Sequence, residues 1–315
     1  MAASNSARRS PSAAATLTAA ARNMGNLEAL PVQLQYQRIF TAQRWKEKDP
    51  KSYSKHAHSA SSVLYQAKAL YCEYGLRQSL MQLRASPPRP VLAANRRLQR
   101  MLDREGYNLC TAVYMLTRWL NDFSFNRRYT DSVNTLYLVG DSTSGADSFC
   151  NALLSLFHCV LTADVNALDV AAYSRTQNLV KLLHFPRLFH DVPFKNPHVN
   201  LILQGRTFNV LADDDLAEVG PKKCVVRLAN LPRPEHLPTS PTQHVVIRFE
   251  NAPVYSQFDP QELIEYVDCI ARSGLTGEEL ACTNEFGVLC ASGWAVPTCH
   301  NCANAVLDLP VYGED

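Results

Sequence analysis

The stretch Asn134-Thr-Leu-Tyr-Leu-Val-Gly140-Asp-Ser-Thr-Ser-Gly145-Ala146-Asp147 has the frame of a phosphate-binding loop, an apolar run feeding G-x-x-x-x-G. In a working loop a Lys follows the second glycine and reaches the β- and γ-phosphates, and the next residue is a Ser or Thr that ligates Mg²⁺. This chain has Ala146 and Asp147 there. A cation is lost and an anion gained beside a triphosphate, and at an effective dielectric near 20 like charges about 4 Å apart repel by roughly 4 kcal/mol. Gly140, Ser142, Thr143 and Gly145 therefore mark a vestigial nucleotide site with impaired hydrolysis. The bland alternative is an ordinary turn between a strand and a helix.

A second group of residues keeps its chemistry. Cys299-His-Asn-Cys302 is a C-x₂-C clip with Cys290 and Cys282 upstream, spacings that can wrap a tetrahedral Zn²⁺. His300 is the substitute for Cys282 as fourth ligand, and buried free thiols are the alternative. The rest of the ten cysteines include Cys72, Cys110, Cys150, Cys159 and Cys269, which sit in apolar patterns where a reduced Cys packs as a small hydrophobe. A third group, Arg96, Arg97, Arg100 and Arg104, forms a stripe beside the apolar Leu98, Met101 and Leu102. Such a stripe is a solvated helix face, a phosphate contact or a subunit contact.

The elements that must position these groups follow from periodicity. Residues 1–30 are rich in Ala and Ser with few large side chains, a composition expected to stay disordered. Residues 31–108 read as helical: 45–50 as a helix ending at a turn, 59–83 with apolar residues near helical spacing, a break at Ser86-Pro-Pro-Arg-Pro90, then a helix from about 95. Residues 110–123 form another apolar helix. From Val133 onward strands are expected at 135–139, 159–161, 179–183, 223–228 and 245–249, with a helix at 148–157 and a helix-to-strand stretch at 199–210. That alternation predicts an α/β domain over 109–275 with a largely parallel sheet, closed by an amphipathic helix at 261–273, and a cysteine-rich segment over 276–315. At 315 residues and 46% hydrophobic content the chain can bury a substantial core. A net charge of +2 excludes a grossly basic nucleic-acid binder, and no run is apolar enough for a membrane span or a secretory signal, so an intracellular protein is expected.

The order Trp45, Lys48-Asp49-Pro-Lys-Ser-Tyr53, Ser59-Ala-Ser-Ser, Glu105-Gly106-Tyr107-Asn108, Trp119 and Asn134-Thr-Leu-Tyr-Leu-Val-Gly140 resembles the helicase region of parvovirus Rep/NS1 proteins. The resemblance continues through Leu289-Cys290, Val296-Pro-Thr-Cys299-His-Asn-Cys302 and Leu307-Asp-Leu, and it is closest to the truncated Rep-like proteins of avian adenoviruses. It implies a helical oligomerisation-type domain, an AAA+-like superfamily 3 helicase core and a small zinc segment. The nuclease domain that precedes the helicase in Rep has no room here.

Against that family the working residues are depleted. The strand that should end in paired acids, 178–187, contains no carboxylate. The sensor position corresponds to Asn230, which also suits a turn before Leu231-Pro232. The arginine finger is out of place, with Gln243-His244 where it belongs. The DNA-tracking hairpin keeps Arg206 but runs into Asp213, Asp214, Asp215 and Glu218, which would repel a phosphate backbone. The expectation is a pseudoenzyme: a scaffold in viral genome replication in the host nucleus, binding viral or host replication proteins or DNA, able to self-associate, holding zinc and not ATP/Mg. The alternatives are a weak, non-standard ATPase and a non-catalytic DNA-binding module using the arginine stripe.

Overall fold

Two runs build the centre of the molecule. In β1 (Thr135–Val139) and β6 (Cys224–Leu228) every residue is buried, the continuous burial expected of strands covered on both faces. They pair in parallel, Thr135 opposite Cys224 through Val139 opposite Leu228, and β7 (His244–Arg248) pairs with the other side of β1. With β2 (Val160–Thr162) and β3 (Leu182–Leu188) the sheet has five parallel strands in the order β2-β3-β6-β1-β7. The mixed α/β class with a mostly parallel sheet is thus as the sequence indicates.

The computed structural model describes residues 29–84, 96–120, 133–164, 167–188, 196–231, 244–253, 255, 257–273, 275–284, 287–292 and 297–306. The expected tail lies outside the described residues up to position 28, as does the Pro-rich break at 86–90. The chain divides into two compact units, one within Met1–Tyr71 and Met81–Pro87, the other within Cys72–Leu80 and Pro88–Asp315. Among the described residues no helix is long and apolar enough to cross a membrane.

The first unit is helical: α1 (Ala29–Tyr36), α2 (Ala42–Lys48), α3 (Pro50–Lys55) and most of α4 (Ala60–Glu73). Thr41 caps α2, and Asp49 both ends α2 and caps α3, with Pro50 in the first turn where its missing N–H costs nothing. Trp45 is fully buried, its ring edge-on to Tyr53 at 5.5 Å. The single helix expected over 59–83 is instead two, α4 and α5 (Leu76–Arg84), because the chain breaks at Tyr74-Gly75. Glycine is among the poorest helix formers and periodicity alone does not register it.

The second unit carries the sheet. Tyr137, Val139, Phe185, Val226 and Val246 face a cluster completed by α9 (Val170–Thr176) and α10 (Pro197–Leu203). On β1 the alternating Leu136 and Leu138 point to the opposite side, where α7 (Leu109–Leu120) and α8 (Ala146–Leu154) lie. Trp119 on α7 fixes the strand ends by donating its ring N–H to the carbonyls of Asn134 and Cys224, at 3.1 and 3.2 Å. Asn134 and Thr135 donate to the carbonyls of Ile202 and Leu203, satisfying the C-terminus of α10. The expected acidic loop at 213–218 is half of an antiparallel hairpin, β4 (Phe208–Ala212) with β5 (Asp215–Val219). Asp213 and Asp214 make its two-residue turn at φ 50° and 67°, a conformation Asp tolerates better than most residues.

The arginine helix, α6 (Arg97–Arg104), belongs to this second unit, although the sequence reading groups it with the preceding helices. It packs on α7 and is capped by α11 (Pro260–Ser273). The carboxylate of Glu262, 1% exposed, accepts from the amides of Leu98 and Gln99 at 2.8 and 3.0 Å. Burial raises the Glu262 pKa, and the two amides oppose that rise. A buried carboxylate at a helix N-terminus is stabilised by exposed amides and by the helix dipole. Hydrogen bonds to charged groups contribute about 1.5–3 kcal/mol each, so Glu262→Ala should lower the unfolding free energy by about 2–3 kcal/mol in urea titration. A loss below about 0.5 kcal/mol would show that the cap is dispensable.

Candidate functional site

The loop after β1 lies where an open parallel sheet binds ligands, at the carboxyl ends of the strands beside the point where the chain crosses from β6 over β1 to β7. Gly140 is obligatory: a Cβ there would lie 2.2 Å from the Ser144 hydroxyl and 2.8 Å from the Phe249 carbonyl. The loop, however, is closed on itself. Its amides, which in a phosphate loop point at the anion, are taken: Thr143 by the Asp141 carboxylate at 2.8 Å, Ser144 by the Asp141 carbonyl at 3.3 Å, and Gly145 by the Asn251 carbonyl at 2.9 Å. The Thr143 hydroxyl donates to Asp141 at 2.6 Å, and these bonds from Thr143 hold the Asp141 carboxyl below its usual range. Ser142 is exposed, Ala146 fully buried, and Asn230 exposed just beyond β6.

Asp147 is not the bare anion that the sequence suggests. Its carboxylate accepts from Arg227 Nε at 2.7 Å. Arg227 sits in the middle of an otherwise apolar strand, and the same guanidinium donates to the carbonyls of Leu138 at 2.6 Å and Gly140 at 3.3 Å. It ties β6, β1 and the first turn of α8 together. The charge at Asp147 is therefore neutralised from within, and the repulsion toward a phosphate is weaker than the sequence implies. The signal was present as a lone charge inside the run Cys-Val-Val-Arg-Leu, which is expensive to bury unless paired.

Beside this pair, His184 occupies the strand from which paired acids are expected. Its Nε2 lies 3.5 Å from the Cys150 thiol and its Nδ1 lies 3.4 Å from the Thr162 hydroxyl. Burial, helped by Arg227, lowers the His184 pKa to about 4, and burial pushes Cys150 up to about 12. Both partners are neutral at pH 7, so the pair is neither an activated thiolate nor a ready base.

The cysteine cluster comes from three places in the C-terminal segment. Cys282 follows the short helix α12 (Gly277–Leu280), Cys290 follows the turn at Gly287, and Cys299 and Cys302 open α13 (His300–Asn304). All four sulfurs lie within 4.8 Å of one another, and the Cys282 and Cys290 sulfurs are 3.6 Å apart. A tetrahedron with Zn–S bonds near 2.3 Å has S–S edges of about 3.8 Å, so this set can hold a metal ion. His300 is exposed and turns to Asn304, which leaves Cys282 as the fourth member of the set. The thiols already share protons unevenly. Hydrogen bonding with Cys302 lowers the Cys282 pKa and raises that of Cys302, and burial raises Cys290. Burial also pushes Cys299 up, but hydrogen bonds from Thr283 and Cys302 outweigh it and leave the thiol lowered. The buried Asn301 locks α13 to α12, donating to the carbonyls of Glu278 and Ala281 at 2.6 and 2.8 Å.

This segment is sewn to the sheet domain. Val288 bridges Val246 of β7, Ala291 bridges Tyr107, and Asn108 donates to the Ala305 carbonyl at 2.8 Å. Gly106, at φ 78°, makes the crossing possible, since a Cβ would lie 2.4 Å from the Ser292 carbonyl. Of the arginines, Arg97, Arg100 and Arg104 are exposed along α6, and Arg96 stacks on Tyr266 with 5.9 Å to the ring centroid. Arg206 stands apart from them, exposed on the turn before β4.

A five-stranded parallel sheet, a glycine loop with an internal ion pair beside it and a four-thiol cluster define the class: an α/β protein with one candidate metal centre among the described residues. No family model matches the chain. Over 210 residues it is 42% identical to "Uncharacterized protein ORF12" of Fowl adenovirus A serotype 1 (strain CELO / Phelps), an alignment spanning 64% of this chain and 98% of that protein. The chain belongs to the family of that avian adenovirus protein.

The geometry of Arg227 generates an asymmetric expectation. Asp147 is more than half exposed, so Asp147→Ala should cost no more than about 1 kcal/mol. Arg227→Ala also strips donors from buried carbonyls and should cost about 2–4 kcal/mol. Denaturant unfolding of the two variants checks this, and equal losses would mean that the carbonyl bonds contribute nothing.

Proposed function

We propose that this chain is a Rep-like, non-structural viral protein whose helicase-type core no longer hydrolyses nucleotide and serves as a scaffold in viral genome replication. The proposed partners are viral or host replication proteins and DNA, in the host nucleus, and a second copy of the chain through its helical region. The observation that carries the reading is the closed loop. Three amides of the would-be phosphate cradle are bonded within the protein, the Lys is Ala146, and Asp147 is held by Arg227. The order of residues shared with parvovirus Rep supports an AAA+-like, superfamily 3 ancestry.

The same reading assigns zinc to Cys282, Cys290, Cys299 and Cys302. The donor set fits: four sulfurs in a compact, partly buried cluster, two of them with lowered thiol pKa values. The metal would supply a cross-link and a local charge sink, a structural role with all four positions taken by protein. The chain's own residues do the rest, with Asn301 and the bridge at Val288 aligning the ligands before any ion arrives.

For the core, melting temperature with and without Mg-ATP is the direct test. A ligand at about a hundred times its Kd stabilises by about 2.7 kcal/mol, and we expect no shift. Turnover at about 1 per second or more that is lost in Asp147→Ala would overturn the pseudoenzyme reading. For the metal, protein purified without chelator should carry about one equivalent of zinc. Its binding should release protons and weaken as pH falls, because ligating thiols must be deprotonated. Cys299→Ser with Cys302→Ser should raise amide exchange in the C-terminal segment while leaving the sheet protected. Less than about a tenth of an equivalent of zinc, with four freely titrating thiols, would return the cluster to plain buried cysteines. For self-association, light scattering should show mass rising with concentration, and a strict monomer throughout would remove the second copy from the list of partners.

A further inference from the structure

We propose that the face formed by α6 and the loop carrying Ala252, Pro253 and Tyr255 binds single-stranded nucleic acid. One base would sit in a cavity beside Tyr255, with the flanking phosphates on Arg97, Arg100 and Arg104. This deepens the part of the proposed function in which the chain acts by binding, and is independent of whether nucleotide is hydrolysed.

Three observations converge on this face. The apolar side of α6, Leu98, Met101 and Leu102, is buried, which leaves Arg97, Arg100 and Arg104 exposed on one stripe. At 1.5 Å rise per residue they are spaced about 4.5 and 6 Å along the axis, a row long enough to follow a backbone. Second, the row is interleaved with an aromatic ring. The Arg97 guanidinium carbon lies 5.0 Å from the Tyr255 ring centroid, and Arg100 donates to the Tyr255 hydroxyl at 2.8 Å. Third, a cavity of about 130 Å³ opens beside the row, lined by Arg100, Met101, Arg104, Ala252, Pro253 and Tyr255 and closed on the side of the glycine loop by Glu105, Asn251 and Gly145. Its walls are predominantly apolar, and it has room for one planar ring system.

The local charge favours an anion. Residues 96–105 carry four arginines against Asp103 and Glu105. Glu105 is 5% exposed, and its oxygens accept from the amides of Glu250 and Asn251 and from the Asn251 side chain, so its charge is engaged inward. Guanidinium groups flanking an apolar slot with a tyrosine wall match the two needs of an unpaired strand, a phosphate track and a stacking platform. A duplex offers phosphates but keeps its bases stacked, so it would use the arginines and leave the cavity empty. An acidic protein segment would likewise use the arginines alone.

The test uses the intact chain and fluorescence anisotropy with a labelled mixed-sequence single strand of about 20 nucleotides, a length that exceeds common single-module site sizes. The duplex of the same sequence and poly-glutamate are the comparisons. The single strand should bind more tightly than either, with affinity falling steeply between about 50 and 200 mM salt. Arg100→Gln with Arg104→Gln should weaken binding tenfold or more and flatten the salt dependence. Stacking of one base is worth about 1–3 kcal/mol, so Tyr255→Leu should weaken the single strand by at least about fivefold, with the salt slope unchanged and Tyr255→Phe close to wild type. If Tyr255→Leu lowers the melting temperature, Ala252→Trp takes its place, filling the cavity from its exposed side, and must weaken binding too. Equal affinity for duplex or poly-glutamate, or a strand affinity indifferent to the Tyr255 and Ala252 variants, overturns the proposal. The two readings fail separately: a melting shift with Mg-ATP counts against the closed loop, and absence of strand binding counts against this face.

Discussion

A permanently charged guanidinium inside a parallel sheet imposes the strictest demand in this molecule. The Arg227 guanidinium buried without acceptors would cost several kcal/mol. Its fork geometry supplies donors in several directions, and the fold meets them with carbonyls on β1 and at Gly140 and with the carboxylate of Asp147. These partners lie at the end of β1, in the glycine loop and at the start of α8. The interaction thus fixes the place where the sheet delivers its loop, and an anion competing for that loop would have to displace Asp147 or share Arg227 with it.

The same logic runs through the second unit, where buried polar groups join elements that apolar packing alone would leave free to slide. Glu262 ties α11 to the start of α6, Glu105 ties the end of α6 to the residues after β7, and the Tyr107 hydroxyl both donates to and accepts from the Arg248 backbone. Each bond spans more than a hundred positions of sequence. Apolar contacts give the sheet its bulk of stability, at about 25 cal/mol per Å² buried, but they tolerate small displacements. Directional bonds do not, and they set α6 in register against β7 so that the arginine row and Tyr255 share one face.

The parallel sheet was legible because β1 and β6 are short, mostly apolar runs bounded by turn residues and separated by helical stretches, a pattern that has few other solutions. The cysteine cluster was legible because a C-x₂-C clip restricts where two ligands can be. The break at Tyr74-Gly75 was missed because helical spacing continues in the side chains across a backbone that does not. The hairpin expected from the resemblance lies further along the chain, at 208–219, because Asp213 and Asp214 look like a charged loop beyond it until their left-handed conformation is known. The partner of Asp147 lies 80 positions away on another strand, and only the register of β6 against β1 brings it near. Pairings of that separation are decided by topology, and no local pattern records them.

The bridge between Val288 and Val246 has a consequence for the sheet itself. β7 is the last strand in the order, and an open strand edge presents a row of unpaired amides and carbonyls to any passing chain. Val246 donates to the Gly287 carbonyl and accepts from the Leu289 amide, so the cysteine segment occupies the middle of that edge. Its brevity matters, because two hydrogen bonds alone would not hold a segment in place against its conformational entropy. The sulfurs of Cys282, Cys290, Cys299 and Cys302, drawn together within 4.8 Å of one another, bracket the bridge on both sides in sequence. What looks like an appendage therefore covers the middle of the last strand, and the amide and carbonyl of Val246 are met from within the chain.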